Sequence, residues 1–94
     1  MPIFAVHYTY TDATAADRAT HRPEHRGWLH ALVDAGTVLT SGPYPDGTGA
    51  LLIFRAADAA SLTELLGEDP FALKGLIEAV RVVEWLPVMG AFAE

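Results

Sequence analysis

Residues 3 to 10, IFAVHYTY, alternate between two sides, with Phe4, Val6, Tyr8 and Tyr10 on one and Ile3, Ala5, His7 and Thr9 on the other. β-Branched and aromatic residues at most of these positions predict a strand with neither face strongly solvated. The next ten residues, TDATAADRAT, are small and polar and read as a loop with room for a helical turn. Pro23 then fits the first position of a helix, where its missing N–H costs nothing. From there His25, Leu29, Leu32 and Val33 fall at i, i+4, i+7 and i+8, a single helical face that runs to about Ala35. Gly36 supplies the stop.

Two further apolar runs, TVLTSGPY (37–44) and GALLIFRA (49–56), flank a Pro-Asp-Gly-Thr-Gly turn and predict an antiparallel hairpin. Asp58 is placed to cap a second helix carrying Leu62, Leu65 and Leu66, with Gly67 at its end. In EDPFALKG (68–75), Pro70 keeps Asp69 from an easy helical conformation and starts a helical turn. The last strand is IEAVRVVEWLPVM (77–89), with Val80 and Val82 on one side and Arg81, Val83 and Trp85 on the other. The order is βαββαβ, which predicts an α+β fold: a four-stranded antiparallel sheet with two main helices on one face. Helices of this length cover only one side of such a sheet, so the strands' second apolar face predicts a homodimer packed sheet to sheet.

Length and composition narrow this picture. A chain of 94 residues makes one domain, here 1–94, and 51% of it is apolar, which is much for so small a volume to hide and again favours a subunit interface. The net charge is −6, and the six Lys and Arg are scattered, with no basic stripe for nucleic acid. No run reaches the length of a membrane span, and the N-terminus lacks the basic start and long apolar stretch of a signal peptide; the expectation is a soluble cytoplasmic protein. With no cysteine, thiolate nucleophiles, disulfides and Cys-ligated zinc are excluded.

The chemistry-bearing candidates are few. His25 shares its helical face with three aliphatic residues, where a core alone rarely selects imidazole; the plain alternative is a half-buried histidine bonded to a backbone carbonyl. A place in the first helical turn would set it beside the positive end of the helix dipole and favour the neutral, base-competent ring. Asp69, before Pro70, is either a turn or cap former or the group that holds one ring nitrogen of His25, which would fix its tautomer and leave the other nitrogen to move a proton. Ser41 and Tyr44 flank Gly42-Pro43, where rigid backbone can hold a hydroxyl for substrate. There is no G-x-S-x-G elbow, so positioning is favoured over nucleophilic attack. His7 and Tyr8, with Tyr10, are candidates to line a pocket, against the more ordinary reading of core and interface packing. His21 and His25 have the i, i+4 spacing of a helical metal pair, but Pro23 places His21 before the helix and no third ligand is evident, so neither a metal nor an organic cofactor is expected. His30 is expected to be exposed.

Taken in order, Arg22-Pro23-Glu24-His25 with Leu29, Leu32 and Gly36, then Ser41-Gly42-Pro43, then Asp69-Pro70-Phe71 with Gly75, resembles the YCII-related family over nearly the whole chain, to Pro87. The resemblance implies a ferredoxin-like fold that dimerises through its sheets, similar to the dimeric α/β barrels that include muconolactone isomerases. It implies that His25 and Asp69 form an active-site dyad, and that Arg22 pairs with an acidic group or anchors an anionic substrate. Arg26 departs from the family pattern, in which an apolar residue often follows the histidine. The family includes a dehydrochlorinase acting on a chlorinated, hydroxylated aromatic ring and domains of no known activity. Two functions follow: a cofactor-independent lyase or isomerase that moves a proton on a small phenolic, lactone or enolisable substrate, or a non-catalytic small-molecule-binding or accessory domain with a structural His-Asp pair.

Overall fold

In a computed structural model describing residues 1–93, four strands and three helices follow one another as β1 (Ile3–Thr9), α1 (Ala15–Asp34), β2 (Val38–Pro43), β3 (Gly49–Arg55), α2 (Ala59–Leu66), α3 (Pro70–Leu73) and β4 (Ala79–Trp85). The strands form one antiparallel sheet in the order β2-β3-β1-β4, the ferredoxin-like arrangement that the resemblance implies. β1 is central, pairing Ile3 to Thr9 with Arg55 to Gly49 on one side and with Trp85 to Ala79 on the other. At the end of the β1–β3 ladder the backbones approach so closely that a Cβ on Gly49 would lie 2.0 Å from the Tyr8 carbonyl oxygen, so only glycine fits there.

Alternation along the strands sorts the side chains by face. Phe4, Val6 and Tyr8 of β1 and Leu52 and Phe54 of β3 join Leu62 and Leu66 of α2 in the buried core, and Trp28, Leu29 and Leu32 of α1 pack against it. Ala5, His7, Leu51, Ile53, Arg81, Val83 and Trp85 line the other face, which none of the described helices covers.

The main departure from the sequence reading is α1. It begins at Ala15 and spans 20 residues, so Pro23 lies inside it rather than at its start. Ala15, Ala16 and Ala19 are strong helix formers that outweigh the polar residues among them. The early turns are also tied down by Arg18, which is buried, donates to the Thr11 carbonyl at 3.0 Å and to Thr14 Oγ1, and lies 4.3 Å from the centre of the Tyr10 ring. A cation over an aromatic face and a bond back to the preceding loop offset the helical hydrogen bond that Pro23 cannot donate. At the other end Gly36 adopts φ +79°, with Gly36 N–H on Val33 and Thr37 N–H on Leu32, which closes the helix as anticipated.

Asp58 caps α2, its carboxylate accepting from Ser61 N–H at 2.7 Å, a bond that holds its carboxyl below the usual range. The strands are shorter than their apolar runs: β4 ends at Trp85, and Leu86, Val88 and Met89 beyond it are strongly exposed. No helix among the described residues is long and apolar enough to cross a membrane.

Candidate active site

The site is built where α1 passes α3. Asp69 is held extended before Pro70, with φ −59° and ψ 126°, and caps α3 by accepting from Phe71 N–H at 2.9 Å. The same Oδ1 atom is 2.7 Å from His25 Nδ1, and Oδ2 accepts the Tyr8 hydroxyl at 2.8 Å. The turn-cap reading and the histidine-partner reading of Asp69 were posed as alternatives, and the structure contains both contacts at once. Asp69 has no exposed surface, and Tyr8 is 2% exposed beneath it.

An ionised carboxylate can only accept hydrogen bonds, so in this arrangement the hydrogen between His25 and Asp69 belongs to Nδ1. When the ring is neutral, that makes Nε2 its acceptor nitrogen. Nε2 has no hydrogen bond among the described residues and is not among their sealed, unpartnered atoms; His25 lines a cleft of about 500 Å³. The ring is clamped from the side as well, because Phe71 stacks on it with centroids 3.9 Å apart and planes 3° from parallel. Tyr10 then meets Phe71 edge to face at 6.1 Å. His25 lies near the middle of α1 rather than in its first turn, so the helix dipole does not act on it as expected from the sequence. Asp69 and Phe71 set its orientation instead.

The cleft is walled by Leu29 and Val33 of α1, by Ser41, Gly42 and Pro43 of β2, by Ala50 and Leu52 of β3, and by Tyr10 and Phe71, with Arg22 and Arg26 beside His25. Burial, then the charge of Asp69, push the Tyr10 phenol up to about 12, although Arg18 and Arg22 oppose the shift. The Tyr8 phenol is raised further still, by burial first and then by the charge and hydrogen bond of Asp69. Neither phenol is therefore an acid at neutral pH; Tyr8 serves as a hydrogen-bond donor to Asp69.

Of the residues singled out in the sequence, His25, Arg22 and Ser41 line this cleft, with Asp69 and Tyr8 behind His25. His7 and Tyr44 do not line it. β1 alternation turns His7 away from Tyr8, and its Nδ1 lies 3.0 Å from the Tyr44 hydroxyl on the uncovered side of the sheet. His21 belongs to α1, contrary to its expected place before the helix. Its Nδ1 is buried without a hydrogen bond and 3.7 Å from Glu24 Oε1. His30 is exposed, 3.8 Å from Asp34. Among the described residues no three His, Cys, Asp or Glu side chains gather as metal ligands would. Phe71, Arg26 and Leu29 were not singled out as site residues. Helical spacing from His25 could have found Leu29, and the pairing of an aromatic with Asp-Pro could have found Phe71.

The model of the YCII-related domain matches residues 2–86. The chain belongs to the YCII-related family. No curated protein sequence matches it. Among solved structures it is similar to the 5-chloro-2-hydroxyhydroquinone dehydrochlorinase TftG from Burkholderia phenoliruptrix AC1100, in complex with 2,5-dihydroxybenzoquinone. The TM-score is 0.80 at 22% identity, covering 98% of this chain and 99% of that one. At that identity the likeness establishes the shared fold of this YCII-related domain along its whole length.

Proposed function

We propose that this YCII-related protein is a cofactor-independent enzyme of the lyase or isomerase type, which moves a proton on a small phenolic, lactone or enolisable substrate. The observation that carries the proposal is the His25 ring, fixed at Nδ1 by buried Asp69, stacked on Phe71, and lining a cleft of about 500 Å³, large enough for a substituted ring. Nε2 takes a proton from the substrate. The electron pair left behind moves toward a neighbouring carbonyl oxygen or expels a leaving group, and the imidazolium, held by Asp69, returns its proton to substrate or to water. A positioned base of this kind contributes about 10² to 10⁴ in rate. Arg22 and Ser41 hold substrate oxygens. The dehydrochlorinase named above, solved with a dihydroxybenzoquinone, supports an oxygenated ring as the substrate class.

A second reading has its own support. Asp69 ties Tyr8, His25 and Phe71 N–H together and so clasps β1, α1 and α3, a service that a non-catalytic binding domain would also need. The two separate on a screen of small phenols, lactones and chlorinated hydroxyaromatics. Turnover that His25→Asn abolishes in a folded protein supports catalysis, and turnover retained by that variant overturns it. The uncovered apolar sheet face supports assembly as a homodimer.

A further inference from the structure

The cleft carries a charge that the rest of the chain does not. The protein has a net charge of −6, yet the charged side chains lining the cleft beside His25 are Arg22 and Arg26, with no Asp or Glu among the lining residues. Asp69, behind His25, is fully buried and already accepts from three donors. Arg22 and Arg26 are one helical turn apart on α1, a like-charge i, i+4 pair that is slightly unfavourable to the helix. Neither is in an ion pair among the described residues, although carboxylates are twice as numerous as Lys and Arg in the chain. Two unpaired guanidinium groups at the rim of a mostly apolar cleft form a ready anion seat, because each presents forked donors to an oxyanion. The apolar walls contributed by Leu29, Val33, Pro43 and Phe71 suit a flat ring.

We infer that the ligand of this cleft is an anionic aromatic acid, whose carboxylate or ionised phenol oxygen is held by Arg22 and Arg26 together while its ring lies toward Phe71 and its reacting end meets His25. This deepens the proposed proton transfer and rests on the cleft being its substrate site, but it is read by binding and needs no turnover. Arg26 is then a specificity residue: it selects the charge of the substrate and takes no part in the proton step.

The test is calorimetric titration of the whole protein with two matched pairs of probes. 4-Hydroxybenzoate against its methyl ester reads the carboxylate, and 4-nitrophenolate against 4-nitroanisole reads the ionised phenol. The anion of at least one pair should bind about tenfold or more tightly than its neutral partner, the scale of a charge-assisted hydrogen bond, and the pair that shows it identifies the anionic group. Arg26 is exposed on a helix surface, so Arg26→Gln should fold; it should bring anion and neutral partner to within about threefold, and Arg26→Lys should keep most of the preference. Equal binding of anion and neutral probe in both pairs, binding of none of them, or a preference that survives Arg26→Gln overturns the inference. Anion preference with no turnover on any substrate would instead overturn the proton-transfer reading and leave the arginine seat standing.

Discussion

Phe71 lies flat against His25 while its own backbone N–H is bonded to the carboxylate oxygen that holds the imidazole, so one residue fixes the ring both directly and through Asp69. The stack limits ring rotation about the Nδ1–Asp69 bond, which matters because Nε2 must meet its proton within hydrogen-bond reach. Phe71→Leu keeps apolar volume and the backbone bond but removes the flat face. Turnover on any substrate found should fall by about 10-fold or more in kcat, the loss expected from a misplaced base, while the protein stays folded by circular dichroism. Phe71→Ala should in addition cost about 3 to 5 kcal/mol in a denaturant melt, since its side chain is 2% exposed.

Tyr8 acts on the site from beneath. Tyr8→Phe preserves the packed ring and removes only the donor to Asp69 Oδ2, leaving a carboxylate oxygen buried without that partner. Urea unfolding should show a loss of about 1 to 3 kcal/mol. A variant as stable as the parent would mean that water or a shifted neighbour replaces the hydroxyl.

How much of this was legible beforehand depends on the range of the interaction involved. Alternation in IFAVHYTY and the leucines of the second helix report local burial, and with the turn residues of 45–49 they were enough to give the strand order's ingredients and the βαββαβ plan. Helical spacing placed His25 on an apolar face without help. The start of α1 is not legible from the pattern, because Pro most often stands at a first helical position, while the bonds that stabilise the earlier turns, from Arg18 to Thr11 and over Tyr10, join residues that no periodicity links. Tyr8 as the partner of Asp69 was illegible for the same reason: 61 residues separate them, and strand alternation says only that Tyr8 points inward. The separation of His7 and Tyr44 from the cleft follows from alternation too, but only once the helix-covered face is known.

The raised phenols of Tyr8 and Tyr10 make alkaline stability a measurable consequence. Both release their protons at higher pH in the folded chain than in the unfolded one, whose tyrosines titrate near pH 10. Above about pH 10 the unfolded state therefore binds fewer protons than the folded state, and stability must fall as pH rises. Ultraviolet difference titration should show these two tyrosines ionising only above the ordinary range, in step with unfolding seen by circular dichroism. Tyr8→Phe should make that alkaline loss shallower. Ordinary titration of all three tyrosines in a folded chain would contradict the burial of Tyr8.

The proposed homodimer is the remaining reading to test on the sheet. The sheet's uncovered face is lined by half-buried Ala5, Leu51 and Val83 around buried Ile53, with His7, Arg81 and Trp85, the last 41% exposed. An apolar sheet face of this kind left in water would be unusual for a monomer, and burying it costs little in desolvation because its charged members are few. A second copy can meet it face to face about a two-fold axis, the arrangement most homodimers use. Light scattering after size exclusion should therefore give about twice the 10.1 kDa of one chain. Val83→Glu puts a carboxylate on this open face, at a position paired with Ala5 and only half-buried within one chain, so the isolated fold should tolerate it. In the dimer the same carboxylate would be desolvated without a partner, a penalty of several kcal/mol per ion, and the variant should elute as a folded monomer. A parent protein that runs as a monomer at all concentrations would refute sheet-to-sheet pairing. A Val83→Glu variant that stays dimeric would move the interface to another surface, for which the exposed Leu86, Val88 and Met89 segment is the next to mutate.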